Sequence, residues 1–236
     1  MIAGYKEGSL VDVPGRVAVV VFTAGCNLRC PYCHNADLVL PERIAKLRPV
    51  SEERLISRIK YLYDRGLISA VAITGGEPLL WNGLTMFLSK LREIKGLFLK
   101  VDTNGTVPSR LKELVNNKLV DYIAMDVKSS PAKYALAVGL AKFDCKHIKS
   151  SAEFLKGQSK VMYEFRTTVV PSLITEEDFE GLLEFVIGAN LYALQRFRPL
   201  STLDPKYSQL EPTSSAFLGK MAAYFVPYVK KVEIRK

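Results

Sequence analysis

The chain has 236 residues, 48% hydrophobic and 24% charged, which suits one domain or at most two and excludes a disordered, collagenous or fibrous protein. Lys and Arg number 33 against 24 Asp and Glu, and the resulting charge of +9 suits an acidic partner or ligand without identifying it. No apolar run approaches the roughly 18 residues of a membrane span, and the opening Met1 to Glu7 lacks a signal-peptide layout. We therefore expect one cytoplasmic domain over 1–236 with no membrane partner.

Apolar, β-branched runs return at intervals of about 25 to 35 residues, separated by amphipathic stretches of helical length. Taken in chain order, a strand is predicted over 17–23 and a helix over 51–63. That helix has Ser51 as N-cap and carries Leu55, Ile56, Ile59 and Leu62 on one face. Strand then alternates with helix: strand 70–74, helix 84–94, strand 98–102, helix 109–117, strand 122–127, helix 150–156, strand 163–170, helix 175–187 and strand 192–197. The strands are near-continuous hydrophobic runs, as a parallel sheet covered by helices requires. The fold class is α/β, a barrel or an open part of one. A last segment, 229–235, is an edge strand or a tail, since its alternating basic residues suit no buried strand.

Polar signals gather just past the predicted strand ends, where parallel α/β folds bind ligands. The first is Gly25-Cys26-Asn27-Leu28-Arg29-Cys30-Pro31-Tyr32-Cys33-His34-Asn35. Three of the four cysteines fall in this one short loop, whose backbone lets the sulfurs converge on a soft metal centre. Three ligands fall one short of a closed structural zinc site, and on a four-iron cluster they would leave one iron open to an exogenous ligand. A zinc site using His34 as fourth ligand and, for an exported chain, haem attachment at Cys30-Pro31-Tyr32-Cys33-His34 are the other readings of the spacing. The later strand ends carry Gly75-Gly76-Glu77-Pro78, Asp102-Thr103-Asn104-Gly105 and Asp126-Val127-Lys128. Gly75 and Gly76 permit close backbone approach to a ligand, and Glu77 offers a carboxylate to a cationic amino group. Taken singly, these residues equally suit ordinary turns and caps.

The spacing Cys-x3-Cys-x2-Cys, with an aromatic residue before the third cysteine, resembles the radical S-adenosylmethionine signature, and Gly75-Gly76-Glu77 resembles the GGE motif of that superfamily. Asp12-Val13-Pro14-Gly15-Arg16 and Cys33-His34-Asn35 are similar to glycyl-radical-enzyme activating enzymes. The resemblance implies a partial (β/α)6 barrel of the TIM type, with parallel strands and outer helices. It further implies a [4Fe-4S] cluster on Cys26, Cys30 and Cys33, with S-adenosylmethionine chelating the open iron. Reductive cleavage of the sulfonium would yield a 5′-deoxyadenosyl radical that takes hydrogen from a glycine of a partner enzyme. Tyr32 and His34 would lie against adenine, and Lys128 and Arg166 would hold the methionine carboxylate. Asp102 and Asp126 would accept ribose hydroxyls or, with Thr103, bind a monovalent cation.

Val13 stands where such relatives carry glycine, which puts the geometry of that loop in question. No cysteine lies between Cys33 and Thr74, so a ferredoxin-like insertion is missing, and the partner narrows to pyruvate formate-lyase or anaerobic ribonucleotide reductase. The Gln195-Arg196-Phe197-Arg198-Pro199 segment looks more like the reductase subgroup. It faces either the cofactor or the surface. A flavodoxin- or ferredoxin-type electron donor is implied as a second partner. Cys145 and His147 show no metal spacing and are read as incidental. Two rivals stand: a radical enzyme acting on a small molecule or RNA, and a zinc-stabilised, basic nucleic-acid-binding protein. No interleaving of basic and aromatic residues supports nucleic acid as a partner.

Overall fold

Eight strands share one sheet in the computed structural model, which describes residues 1–235: β1 (Ile2–Ser9), β2 (Ala18–Thr23), β3 (Ala70–Gly75), β4 (Phe98–Thr103), β5 (Tyr122–Asp126), β6 (Met162–Val169), β7 (Tyr192–Arg196) and β8 (Val232–Arg235). Their order in the sheet is their order in the chain. β1 runs antiparallel to β2, and every later neighbour pair is parallel. β1 and β8 end the sheet without pairing to each other, so the barrel is open.

The six predicted strands are β2 to β7, and the structure adds β1 at one edge. β1 carries no apolar signature because only Ile2 and Ser9 of its eight residues are buried, as a strand half in water permits. The 229–235 segment resolves as an edge strand, β8.

Nine helices are described: α1 (Ala36–Val39), α2 (Pro41–Ile44), α3 (Glu52–Asp64), α4 (Leu84–Arg92), α5 (Pro108–Asn116), α6 (Tyr134–Ala137), α7 (Lys146–Lys156), α8 (Phe179–Val186) and α9 (Ser215–Phe225). Ser51 caps α3 by accepting from the Arg54 amide, and Leu55, Ile59 and Leu62 enter the core. Ile56, assigned to the same face, is only partly buried. α7 begins four residues before the predicted start, behind Cys145. The predicted 175–187 helix is a 3-10 turn, Glu176–Asp178, followed by α8, because Thr175 and Asp178 close a capping box across that turn. α9 lies outside the predicted elements; Ser214 caps it, and Leu218, Met221 and Phe225 are its buried face. Among the described residues, no helix is long and apolar enough to cross a membrane.

One side of the sheet faces these helices and forms the apolar core with residues such as Val19, Ile73, Val101 and Phe165. A buried ring such as that of Phe87 on α4 contributes about 1.5–3 kcal/mol by leaving water. The opposite, inward side divides. Its floor is small and apolar: Val13 is fully buried among Ala18, Ala70 and Ala72, against Phe98. Valine is accommodated where the resemblance expects glycine because the three facing positions are alanines. The turn is made instead by Gly15, at φ +69°, and the Arg16 guanidinium lies 4.3 Å above the Phe98 ring. On β4, β5, β6 and β8 the inward positions include the charged side chains Lys100, Asp102, Asp126, Glu164, Arg166, Glu233 and Arg235, of which Asp102, Asp126 and Arg166 line the site.

Candidate active site

The loops beyond the carboxyl ends of β2 to β5, together with β6, enclose a cavity of about 220 Å³. Cys26, Cys30, Tyr32, Cys33 and His34 line it from the first loop, and Gly75, Gly76 and Glu77 from the second. Asp102, Asp126, Lys128 and Arg166 complete the wall. Every residue singled out in the sequence for cofactor or metal therefore meets in one place.

The cysteine loop is fixed from several sides. Arg29 donates from Nη1 to the carbonyls of Cys26 and Leu28, both at 2.8 Å, and its own amide bonds to the Val138 carbonyl. The amides of Leu203 and Asp204 donate to the carbonyls of Cys33 and Pro31, both at 2.9 Å. The His34 ring lies 3.1 Å from the Arg198 carbonyl. Gly76 allows this loop to approach the end of β3, since a Cβ there would stand 2.2 Å from the Gly25 carbonyl oxygen. Burial pushes the Cys30 thiol up to about 12 against the opposing pull of Lys128, and burial raises Cys26 as well. Such thiols ionise when a metal takes them. Among the described residues, no three His, Cys, Asp or Glu side chains converge on a point as a single-ion site requires. Three thiols on one cavity wall are nevertheless a soft donor set suited to a cluster. The Tyr32 hydroxyl is buried at the same wall with no hydrogen-bond partner.

Glu77 is 1% exposed and does more than offer a carboxylate to the cavity. Its Oε1 accepts from the Leu79 amide at 3.0 Å and the Thr103 hydroxyl at 2.8 Å. Its Oε2 accepts from the Asn104 amide at 2.6 Å, so the residue ties the end of β3 to that of β4. Burial pushes its acid up to about 7, against the lowering effect of those donors.

Behind this tie runs a chain of alternating charge. Lys100 Nζ is 2.6 Å from Asp102 Oδ1, and Arg166 Nη1 is 3.3 Å from Asp102 Oδ2. Arg166 Nε donates to Asp126 Oδ1 and Lys128 Nζ to Asp126 Oδ2, both at 2.8 Å. Burial by itself would raise Asp126, but Arg166 and Lys128 overcome it and hold the acid near about 2. Asp102 is lowered by Arg166 and Lys100 in the same way, against burial.

The oxygen ligands named for a monovalent cation are therefore already committed. All four carboxylate oxygens face a cationic nitrogen. Thr103 donates its hydroxyl to Glu77 and accepts the Gly105 amide. The expected ligand set for a free cation is not assembled, because side-chain cations already occupy it.

Lys100, Arg29 and the 198–204 strap escaped sequence reasoning. A signal for Lys100 existed: a lysine inside an apolar strand, two residues before Asp102 and hence on the same face. Cys145 is buried at the start of α7 and does not line the cavity, nor does any residue of 195–199.

A family model described as the Radical SAM superfamily matches residues 20–186. A Methanocaldococcus jannaschii protein, provisionally named glycyl-radical enzyme activating enzyme MJ1227, is 33% identical over 240 residues, covering 100% of this chain and 95% of its own. The pyruvate formate-lyase-activating enzyme of Clostridium pasteurianum is 30% identical over 217 residues, covering 89% and 86%. The 7-carboxy-7-deazaguanine synthase of Hyperthermus butylicus is 31% identical over 185 residues, covering 72% and 75%. Among solved structures, Streptococcus suis SuiB bound to precursor peptide SuiA shares the fold with TM-score 0.66 and 16% identity, over 92% of this chain and 48% of that one.

Proposed function

Because the chain belongs to the radical S-adenosylmethionine superfamily, whose members use a [4Fe-4S] cluster and S-adenosylmethionine, we propose that it is an activase that installs a glycyl radical on a partner enzyme. The observation that carries this is the full-length similarity to a protein named for that activity, joined to a single cavity holding all three loop cysteines and a cation-rich wall.

Cys26, Cys30 and Cys33 are the proposed cluster ligands. When both groups are bound, reductive cleavage of the sulfonium supplies a 5′-deoxyadenosyl radical. The remaining work belongs to the chain. Arg166 and Lys128 take the carboxylate of the methionine moiety, since three cations share two carboxylates along the charge chain and leave one positive charge uncompensated. Glu77 Oε2, with one protein donor, retains a lone pair for the amino group. Gly75 and Gly76 admit backbone contact, and Tyr32 and His34 border adenine. The buried Leu28, Cys30 and Tyr32 of the cysteine loop help withhold water from the radical.

The partner we propose is anaerobic ribonucleotide reductase, supported by the Gln195-Arg196-Phe197-Arg198-Pro199 segment and the missing cysteine insertion, with a flavodoxin- or ferredoxin-type protein as electron donor. A pyruvate formate-lyase activase is the neighbouring assignment. The second reading, catalysis on a small molecule, is favoured by the similarity to 7-carboxy-7-deazaguanine synthase.

The test is anaerobic reconstitution with iron and sulfide, reduction by dithionite, and chromatography for 5′-deoxyadenosine. Cleavage that disappears on replacing any one of the three cysteines by Ala is expected. A colourless zinc-loaded protein that leaves S-adenosylmethionine intact defeats the assignment. A glycyl-radical electron paramagnetic resonance doublet on added reductase, against none on pyruvate formate-lyase, decides the partner.

A further inference from the structure

The wall of the cavity holds two carboxylates, Asp102 and Asp126, and three cationic side chains, Lys100, Arg166 and Lys128. Arg166 and Lys128 line the cavity, whereas Lys100 lies beneath it, with its side chain 3% exposed and its ammonium against Asp102. Lys100 thus faces the barrel interior and cannot reach a ligand without displacing Asp102. Its effect on the site passes through that carboxylate.

Charge balance shows what that effect is. Along the charge chain alone, leaving out Glu77 and the cofactor's amino and sulfonium groups, the bound cofactor's carboxylate makes three anions. Arg166, Lys128 and Lys100 make three cations. A free monovalent ion would be a fourth, placed among carboxylate oxygens that already face nitrogens. Remove Lys100, and Asp102 Oδ1 loses its partner while the count falls one cation short. A buried carboxylate in that position either takes up a proton or recruits a cation with oxygen ligands.

We propose that the Lys100 ammonium is a tethered substitute for a monovalent cation, so that the cofactor site of this chain is complete without sodium or potassium. A lysine ammonium is a compact point charge with three donors, suited to replacing a small ion at a single carboxylate oxygen. The tether removes the entropic cost of capturing a free ion and makes the site indifferent to the salt around it. The inference rests on the S-adenosylmethionine reading for its effect on affinity, but the carboxylate–ammonium substitution stands on the protein alone.

Two measurements test it at constant ionic strength, exchanging choline chloride for potassium or sodium chloride. The first is the equilibrium dissociation constant of S-adenosylmethionine on the reconstituted protein. For the natural chain this constant should be the same in all three salts. For Lys100→Met it should weaken roughly tenfold in choline and recover when potassium or sodium is supplied. The second is thermal unfolding of the same proteins without S-adenosylmethionine. A cation that binds the native state raises the midpoint with its concentration; this rise is expected for Lys100→Met and not for the natural chain.

Tightening of the natural chain's affinity by potassium or sodium, or a cation-dependent rise in its midpoint, overturns the proposal. So does a Lys100→Met protein that is indifferent to cations in both measurements. Should Lys100→Met fail to fold, the natural chain still decides the matter, and Lys100→Arg, which keeps the charge, should stay salt-indifferent. Failure to bind S-adenosylmethionine in any salt would defeat the cofactor reading instead, leaving the unfolding measurement to judge the tethered ion.

Discussion

Glu164 and Arg166 stand two residues apart on the same face of β6, and each joins a buried ion pair, yet the two pairs have opposite characters. Glu164 is fully buried and saturated: Arg235 reaches it with Nη1 at 2.8 Å and Nη2 at 2.6 Å, and the Tyr122 hydroxyl donates at 2.8 Å. Arg235 in turn meets Glu233 at 3.0 Å, and Lys231, 3.4 Å from Glu233, brings the two carboxylates and two cations of the group to neutrality. Arg166 sits among two carboxylates and two lysines with one positive charge in excess, at the wall of the cavity. The first arrangement is closed and fastens β8 to the barrel. The second is open and waits for an anion. Burial and pairing are alike in both; the charge count separates structure from site.

The widest test of that contrast is Arg166→Ala, which strands Asp102 and Asp126 with one cation fewer. It should cost about 3–5 kcal/mol of stability in denaturant unfolding and abolish measurable S-adenosylmethionine binding by titration calorimetry. Glu164→Gln should cost less, about 2–4 kcal/mol, because the Tyr122 and Arg235 donors keep a neutral acceptor. It should leave cofactor affinity as it was; a weakened affinity would show that the closed pair also shapes the site.

The third difference is in acid. Asp126 has its acid held near about 2, below the ordinary value of about 3.9, so it binds fewer protons folded than unfolded over that interval. Its stabilisation is fully present above roughly pH 5 and is lost as pH falls through about 2, an effect of about 2 kcal/mol. In Asp126→Asn the acid limb of the unfolding curve should be shallower by that amount. The smallest effect is expected at Tyr32, whose hydroxyl has no protein partner. Tyr32→Phe should leave the unfolding free energy in denaturant unchanged or raise it by up to about 1 kcal/mol. A drop would reveal a bound water or other partner.

Where sequence reasoning succeeded, the information was local. The cysteine loop, Gly75 to Glu77, Asp102 and the Asp126-Val127-Lys128 turn each follow a strand whose apolar run is visible, and parallel topology carries such ends to one rim. The helices of the outer layer were legible for the same reason, through one apolar face. What was hidden depends on partners distant in the chain. Lys100 reads as an interruption in a strand until Asp102 and Arg166 surround it. Glu77 reads only as a ligand until Thr103 and Asn104 close on it and show that it also ties β3 to β4. The Leu203 and Asp204 amides give no sign that they will bond to Pro31 and Cys33, and β1 is half in water and so lacks the alternation that would betray it.

The strap has a consequence for the order in which the protein is made. His34 meets Arg198 across 164 positions of sequence, and the Pro31 and Cys33 carbonyls wait for residues 203 and 204. At about 5–20 residues per second of synthesis, those donors leave the ribosome roughly 8 to 34 seconds after the cysteines do. Throughout that interval the thiols emerge on an unfastened loop, exposed to oxidants and stray metals. Assembly of the proposed metal centre therefore follows the arrival of residues 198–204, and the cell's task is to keep three early cysteines reduced until that strap fastens them.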